Sequence, residues 1–437
     1  MWSEKSVFYQ IYPLGFCGAP FENDGILTNR IQKVSTFIPH IKKLGADAIY
    51  FSPVFESDTH GYNTRDYKKI DSRLGTNDDF KEVCDRLHKE GIRVVLDGVF
   101  NHVGRGFFGF LDVLKNRENS PYRDWFFLDF NGNSNYNDGL WYEGWEGNFD
   151  LVKLNLKNEE VVSYLLSCVA YWISYFEIDG LRLDVAYCLE HEFLRRLRSF
   201  CDAKKPEFFL VGETLHGDYN QIMNDSMLHS VTNYECYKGL YSSFNSMNLF
   251  EINHSLLRQF GADNWTLYKG KHLLSFVDNH DVTRVASILT NEKHLPLIYA
   301  MLFGMPGIPC IYYGSEWGAK AKKEDGDPAL RASFDAPVEN ELSDFIAKLA
   351  QIKKSSDALN YGSFRSVLLT NKQCIFERRT DSERMYIAIN ADETDFDAQF
   401  DAGCQFAREL LTDTTHDFSG GSTLKAYCAY FWKMDVQ

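Results

Sequence analysis

Gly180-Leu181-Arg182-Leu183-Asp184 is the stretch on which the reading of this 437-residue chain turns. An apolar run suited to a buried strand leads straight into a carboxylate. Leu210-Val211-Gly212-Glu213 repeats the pattern, as does the run His272 to Val277, which leads into Asp278-Asn279-His280-Asp281. Ala46 to Pro53 and Arg93 to Gly98 are further continuous apolar runs that end in polar residues. Strands buried on both faces of a parallel sheet look like this. Between them lie helical periodicities, one through Val162, Leu165, Leu166, Val169, Ile173 and Phe176, another through Leu342, Phe345, Ile346, Leu349 and Ile352. Thr76 followed by Asp79 and Phe80 marks a helix start. The alternation, from residue 6 to about residue 355, predicts an α/β fold, a (β/α)8 TIM barrel. An acid at the C-terminal end of several strands is where such a barrel keeps its chemistry.

Composition narrows what that chemistry acts on. Lys and Arg number 46 against 61 Asp and Glu, a net charge of −15, which repels nucleic acid and anionic membranes. The first ten residues carry an early acid and no uninterrupted apolar core, unlike a signal peptide. Leu295 to Tyr313 is free of charge, but Pro296, Gly304, Pro306, Gly307 and Pro309 interrupt it. It reads as a buried helix, a turn and a buried strand rather than a membrane span. Ten cysteines stand singly with no Cys-x-x-Cys pair, the pattern of free thiols in a cytoplasmic protein.

Two stretches break the alternation. From about Val103 to Asp150 the chain is rich in Asn, Gly, Trp and Tyr and shows no clear period. A long irregular segment inside a compact domain is usually functional, and its tryptophans, Trp141 and Trp145 among them, suit sugar rings as well as core packing. From about Asn360 onward, short strands such as Arg384 to Ile389 and Ala426 to Phe431 are separated by turn clusters. The expected organisation is a barrel over residues 1–102 and 151–357, an inserted B domain over 103–150 after the third strand, and a C-terminal antiparallel β domain over 358–437.

Taken singly, an acid at a strand end is more often a helix cap or loop anchor than a catalyst. The neighbours change that. Arg182 lies two residues before Asp184 and so on the same side of the strand, where a guanidinium favours the ionised carboxylate. Glu213 follows Leu210, Val211 and Gly212, an apolar setting that raises its pKa and keeps it protonated. One ionised and one protonated carboxyl group are the machinery of glycoside hydrolysis. His280, beside Asp281, adds a donor suited to sugar hydroxyls.

Four regions in order, Asp97-Gly98-Val99-Phe100-Asn101-His102, Gly180 to Asp184, Val211-Gly212-Glu213 and Phe276 to Asp281, resemble the signature regions of the α-amylase family. His60-Gly61-Tyr62 and Gly307 to Gly314 support the match. Leu151-Val152-Lys153-Leu154-Asn155 is similar to a signature of the cyclomaltodextrinase and neopullulanase branch. The resemblance implies Asp184 as nucleophile, Glu213 as acid/base and Asp281 as the acid that grips sugar hydroxyls and supports the transition state. It places Tyr62, His102, Arg182 and His280 around the sugar at the cleavage point, with Tyr62 as a stacking platform and Asp97 beneath.

Departures qualify what is carried over. Tyr187-Cys188 stands where secreted α-amylases have a Lys-His pair, and Cys17 to Gly25 lacks the spaced carboxylates of a calcium loop, so no cofactor or metal is expected. Leu215 replaces the branch's Trp, and Asn63 stands where exo-acting α-glucosidases place an Asp. The first strand begins within ten residues of Met1, leaving no room in this sequence for the branch's preceding β domain, and a monomer is expected. The leading expectation is a hydrolase of α-1,4-linked maltooligosaccharides. The alternatives are an α-glucosidase or oligo-1,6-glucosidase, a transglycosylase of the same fold, and an inactive glucan-binding subunit.

Overall fold

Eight parallel strands close into a barrel in the computed structural model, which describes residues 1–435. They are β1 (Phe8–Ile11), β2 (Ala48–Phe51), β3 (Arg93–Gly98), β4 (Gly180–Leu183), β5 (Phe209–Gly212), β6 (Ser230–Val231), β7 (Leu274–Phe276) and β8 (Ile308–Tyr312). Neighbours pair in register around the ring, and β8 returns to β1. The seam between β6 and β7 is closed by a single parallel bridge, Thr232 to Leu274.

Alternation along the strands sets what faces where. Tyr9, Ile49, Val94, Leu96, Leu181 and Leu210 point outward into the core beneath the helices. Phe8, Ala48, Tyr50, Val95, Phe209, Val211, Phe276 and Cys310 point inward and fill the barrel. Toward the C-terminal ends the inward positions turn polar. Gln10 follows Phe8 by two residues, Asp97 follows Val95, and Glu213 follows Val211. Inward, β4 offers only Gly180 and Arg182. A side chain at Gly180 has no room, because its Cβ would meet the Phe209 carbonyl oxygen at 2.5 Å.

Helices over Lys33–Leu44, Asn77–Lys89, Glu159–Tyr171, His191–Lys204, Tyr234–Ser246, Leu295–Gly304 and Glu341–Lys354 follow the strands. Thr76 caps its helix reciprocally with Asp79, as the sequence leads one to expect. The fifth connection departs from the one-helix-per-strand rule. Between β5 and β6, only a 3-10 turn, Tyr219–Gln221, forms. Leu295 to Tyr313 folds as a buried helix followed by β8, and among the described residues no helix is long and apolar enough to cross a membrane.

The irregular segment after β3 is more ordered than its sequence suggests. It holds a helix, Phe108–Asn116, a strand pair (Leu128–Asp129 with Trp141–Tyr142) and a three-stranded sheet of His102–Val103, Asn148–Lys153 and Gly144–Trp145. That helix buries Gly109, Phe110 and Val113 but exposes Phe108 and Leu111, which blurs the period by which it could be read. At the C-terminal end, a six-stranded antiparallel sheet runs from Ser363–Leu369 to Cys428–Asp435. It sits on the barrel helix Leu295–Gly304 so closely that a Cβ on Gly304 would lie 3.0 Å from Ile387.

Candidate active site

One guanidinium organises the polar end of the barrel. Arg182, on β4, donates through Nη1 to both Asp97 oxygens at 3.0 and 2.9 Å and to Asp184 Oδ1 at 2.9 Å. Its Nη2 makes an ion pair with Glu213 Oε1 at 2.5 Å. Tyr50 adds a hydroxyl bond to Asp97 at 3.1 Å. All four charged groups are buried. The residue types follow from position: the register sets Asp97 on β3 level with Arg182 on β4, while Asp184 and Glu213 stand level with each other one inward layer higher.

The turn after β4 ties the two catalytic candidates together. Val185 sits at φ 40 and ψ 49, a left-handed conformation that a β-branched residue rarely adopts. There its N–H donates to Glu213 Oε2 at 3.1 Å, and the Ala186 N–H donates to the Glu213 carbonyl at 3.0 Å. Strain of this kind persists when the surroundings over-determine it, and it concentrates at functional sites.

Burial governs the ionisation here. It pushes Glu213 up to about 7, against the pull of Arg182, as the apolar run before it leads one to expect. Asp184 behaves differently from expectation. Burial also raises it, to about 7, and Arg182 does not hold it ionised. The reason is that one positive charge is divided among three carboxyls, with Asp97 itself raised by burial to about 6. With all three raised and one cation between them, these carboxyls titrate together rather than independently.

Asp281 lies five residues beyond the end of β7. Burial opposes its ionisation, but His280, Arg331 and Arg182 outweigh it and hold the carboxyl at about 2. Arg331 Nη2 is 2.7 Å from Asp281 Oδ1, and His280 Nε2 is 3.0 Å from Oδ2. His280 is sandwiched between Tyr62 and Tyr12, with ring centroids 5.6 and 5.9 Å away. The Tyr62 hydroxyl contacts both His280 Nε2 and, at 3.3 Å, Asp97. His102 points Nε2 toward Asp184 Oδ2 at 3.8 Å with no hydrogen-bond partner, and burial keeps its ring neutral, with a pKa of about 3.

These groups open into a cleft of about 470 Å³. Tyr62, His102, Asp184, Glu213 and Asp281 line it directly, while Arg182 and His280 form the layer beneath. All seven residues singled out from the sequence thus meet in one place. Trp145 lines the cleft as well, whereas Trp141 lies away from it and is exposed. The sequence reading missed Arg331, Asp327, Tyr187 and Tyr234. Asp327 and Arg331 lie in the connection after β8, and no local pattern marks them. A hollow of about 310 Å³ continues the cleft past His60 and Arg331, and one of about 640 Å³ continues it past Leu215 and Tyr234. Among the described residues, no three His, Cys, Asp or Glu side chains are grouped to hold a metal ion.

Comparison with known proteins agrees in extent. A family profile described as alpha amylase, catalytic domain, matches residues 10–358. A cyclomaltodextrinase of a Bacillus species is 30% identical over 412 residues, which cover 90% of this chain and 74% of that protein. The ligand-free cyclic α-maltosyl-(1→6)-maltose hydrolase from Arthrobacter globiformis superposes with a TM-score of 0.84 at 26% identity, covering 99% of both chains. A debranching enzyme from Nostoc punctiforme gives 0.80 at 28%, again over 99% of both.

Proposed function

Since the chain belongs to the α-amylase family of glycoside hydrolases, we propose that it hydrolyses α-1,4-glucosidic bonds of maltooligosaccharides and related α-glucans with retention of configuration. In the first step the Glu213 carboxyl gives its proton to the glycosidic oxygen while an Asp184 oxygen bonds to the anomeric carbon and the C–O bond breaks. The shortened glucan leaves and a glycosyl ester on Asp184 remains. In the second step Glu213, now a carboxylate, takes a proton from water as the water oxygen attacks the anomeric carbon and Asp184 departs.

The observation that carries this assignment is the shared guanidinium. Asp184 and Glu213 each touch a nitrogen of Arg182, which favours the short carboxyl spacing of roughly 5–5.5 Å used for direct attack over the roughly 6.5–9.5 Å that admits a water. Asp281, held ionised, suits the positive charge that develops on the sugar ring, so its grip tightens in the transition state. Tyr62, His102, Arg182 and His280 surround that ring. The site is complete within one chain, so a monomer suffices, and ten free cysteines suit a cytoplasmic setting. Proton NMR of maltoheptaose during early turnover tests the proposal. The α-anomer of the new reducing end should appear first; a β-anomer, or no cleavage, would overturn it.

A second reading has its own support. Two of the solved structures that match this chain from end to end are named for acting on α-(1→6)-linked rings or on branches. Cleavage of α-1,6 bonds is therefore the competing specificity. Faster consumption of panose or pullulan than of maltoheptaose under matched conditions would establish it.

A further inference from the structure

We infer that Gln10 is a positioning residue that fixes the tautomer of His280, keeping its single proton on Nε2, where it faces Asp281 and the sugar. The inference rests on the reading of His280 and Asp281 as sugar-binding groups, but its test does not. Gln10 lies on β1, and its side chain is buried inside the mouth of the barrel. Its amide nitrogen is 2.8 Å from His280 Nδ1 and 3.2 Å from Ser52 Oγ.

The assignment of the proton follows by elimination within this network. Burial lowers the imidazole to about 3, so the ring is neutral at pH 7 and carries one proton. Its Nε2 stands 3.0 Å from Asp281, which is ionised. Nε2 also meets the Tyr62 hydroxyl. A bare nitrogen could accept from Tyr62 but would set its lone pair against the carboxylate, whereas a protonated nitrogen suits both oxygens, so the proton belongs on Nε2. Nδ1 is then an acceptor and requires a donor, which only the Gln10 NH2 supplies among its contacts. The opposite orientation of the Gln10 amide would draw the proton to Nδ1 and strip it from the side facing the cleft. With Nε2 protonated, the Tyr62 hydroxyl is free to donate to Asp97. The chain of bonds then runs in one direction, from Gln10 through His280 and Tyr62 to the carboxylate that anchors Arg182.

The two rings that sandwich His280 fix its plane, and the Tyr62 hydroxyl, able either to accept from Nε2 or to donate to it, does not by itself choose the tautomer. Gln10 therefore contributes something packing cannot. Without it, both tautomers are accessible, and the one with bare Nε2 repels Asp281 and offers no proton to a sugar hydroxyl.

The test is long-range proton–nitrogen correlation NMR on the full chain with 15N-labelled histidine, the His280 signals being identified by their loss in His280→Ala. The parent should show a neutral ring protonated at Nε2 at pH 7. Gln10→Glu replaces the donor with an acceptor and should move protonation onto Nδ1, giving the opposite tautomer or an imidazolium. Gln10→Leu should give a mixture, with kcat on maltoheptaose at least tenfold lower and KM changed less. Protonation at Nδ1 in the parent would overturn the inference even if both variants fail to fold. So would an unchanged Nε2–H ring in Gln10→Leu with kcat within twofold of the parent. If the parent cleaves no α-glucan yet shows the expected tautomer, the proposed function fails and the positioning of His280 stands.

Discussion

Arg331 Nη2 lies 2.7 Å from Asp281 Oδ1 and 3.0 Å from Asp327 Oδ2, which places a cation 50 positions downstream of Asp281 directly on the carboxylate proposed to support the transition state. Its Nε also donates to the His280 carbonyl at 3.1 Å. Arg331→Met should lower kcat/KM on maltoheptaose roughly 10–100-fold, or about 1.4–2.7 kcal/mol of transition-state stabilisation. The Asp281 side chain is 37% exposed, so water compensates for part of the loss. Arg331→Lys should lose less because it keeps the charge. Steady-state kinetics decide; an unchanged kcat/KM in the Met variant would show that Asp281 needs no such partner.

Asp184→Asn and Glu213→Gln should each remove turnover while leaving the fold intact. Loss of general acid/base assistance alone costs about 10²–10⁴-fold. The parent should show a narrow bell in kcat/KM against pH, because Asp184 and Glu213 are both raised to about 7 and titrate as a pair. Full activity in either variant, with circular dichroism unchanged, would remove that residue from the mechanism.

The same raised pKa values carry a stability cost with a definite sign. Asp184 and Glu213 hold protons to about 7 when folded, but only to about 4 in an unfolded chain. Between those values the folded state binds more protons, so their contribution to stability falls as pH rises through the window. Asp281, held at about 2, acts oppositely, and its stabilisation is lost as pH falls below about 4. Asp184→Asn should therefore melt a few degrees above the parent at pH 8, with the gap closing toward pH 4, each pKa unit being worth about 1.4 kcal/mol. A gap that is constant across pH, or reversed, would contradict the role of burial in this cluster.

Exhaustive EDTA treatment should leave melting temperature and activity unchanged. A metal bound only to the folded chain at a hundred times its dissociation constant would add about 2.7 kcal/mol, which calorimetry resolves readily. A drop in melting temperature reversed by calcium would reveal a site that the spacing of the acidic side chains does not announce.

Asp184, Glu213 and Asp281 are legible from sequence because each follows an apolar strand, and a parallel barrel puts such positions at one mouth. The pairing of Arg182 with Asp184 is legible for the same reason, since strand alternation is local. Its reach to Glu213 and Asp97 is not, because that depends on how β3, β4 and β5 stand in register. Gln10 and Arg331 are harder still. Gln10 meets His280 only because the ring closes, joining residues 270 positions apart, and Arg331 arrives on a loop with no period of its own. The fifth connection without a helix escapes for another reason: Leu215, Tyr219, Ile222, Met223 and Met227 recur at helical spacing, yet only the 3-10 turn Tyr219–Gln221 forms. The raised pKa of Asp184 is not legible from the Arg182–Asp184 pair alone, because four buried groups interact there.

The single bridge between β6 and β7 makes the barrel mechanically a split ring. Every other joint is a ladder of two or more residue pairs, but here the link is a single bridge, in which the Asn233 amide donates to the Leu274 carbonyl at 2.9 Å. Asp184, Arg182 and Glu213 ride on the arc that ends at the slit on one side; Asp281, His280 and Arg331 ride on the arc that begins on the other. Local opening is expected where pairing is thinnest, and the slit is that place in this barrel. A glucan held by both arcs at once would span that gap, and slower exchange of the Asn233 amide on adding maltoheptaose is the expected sign of it.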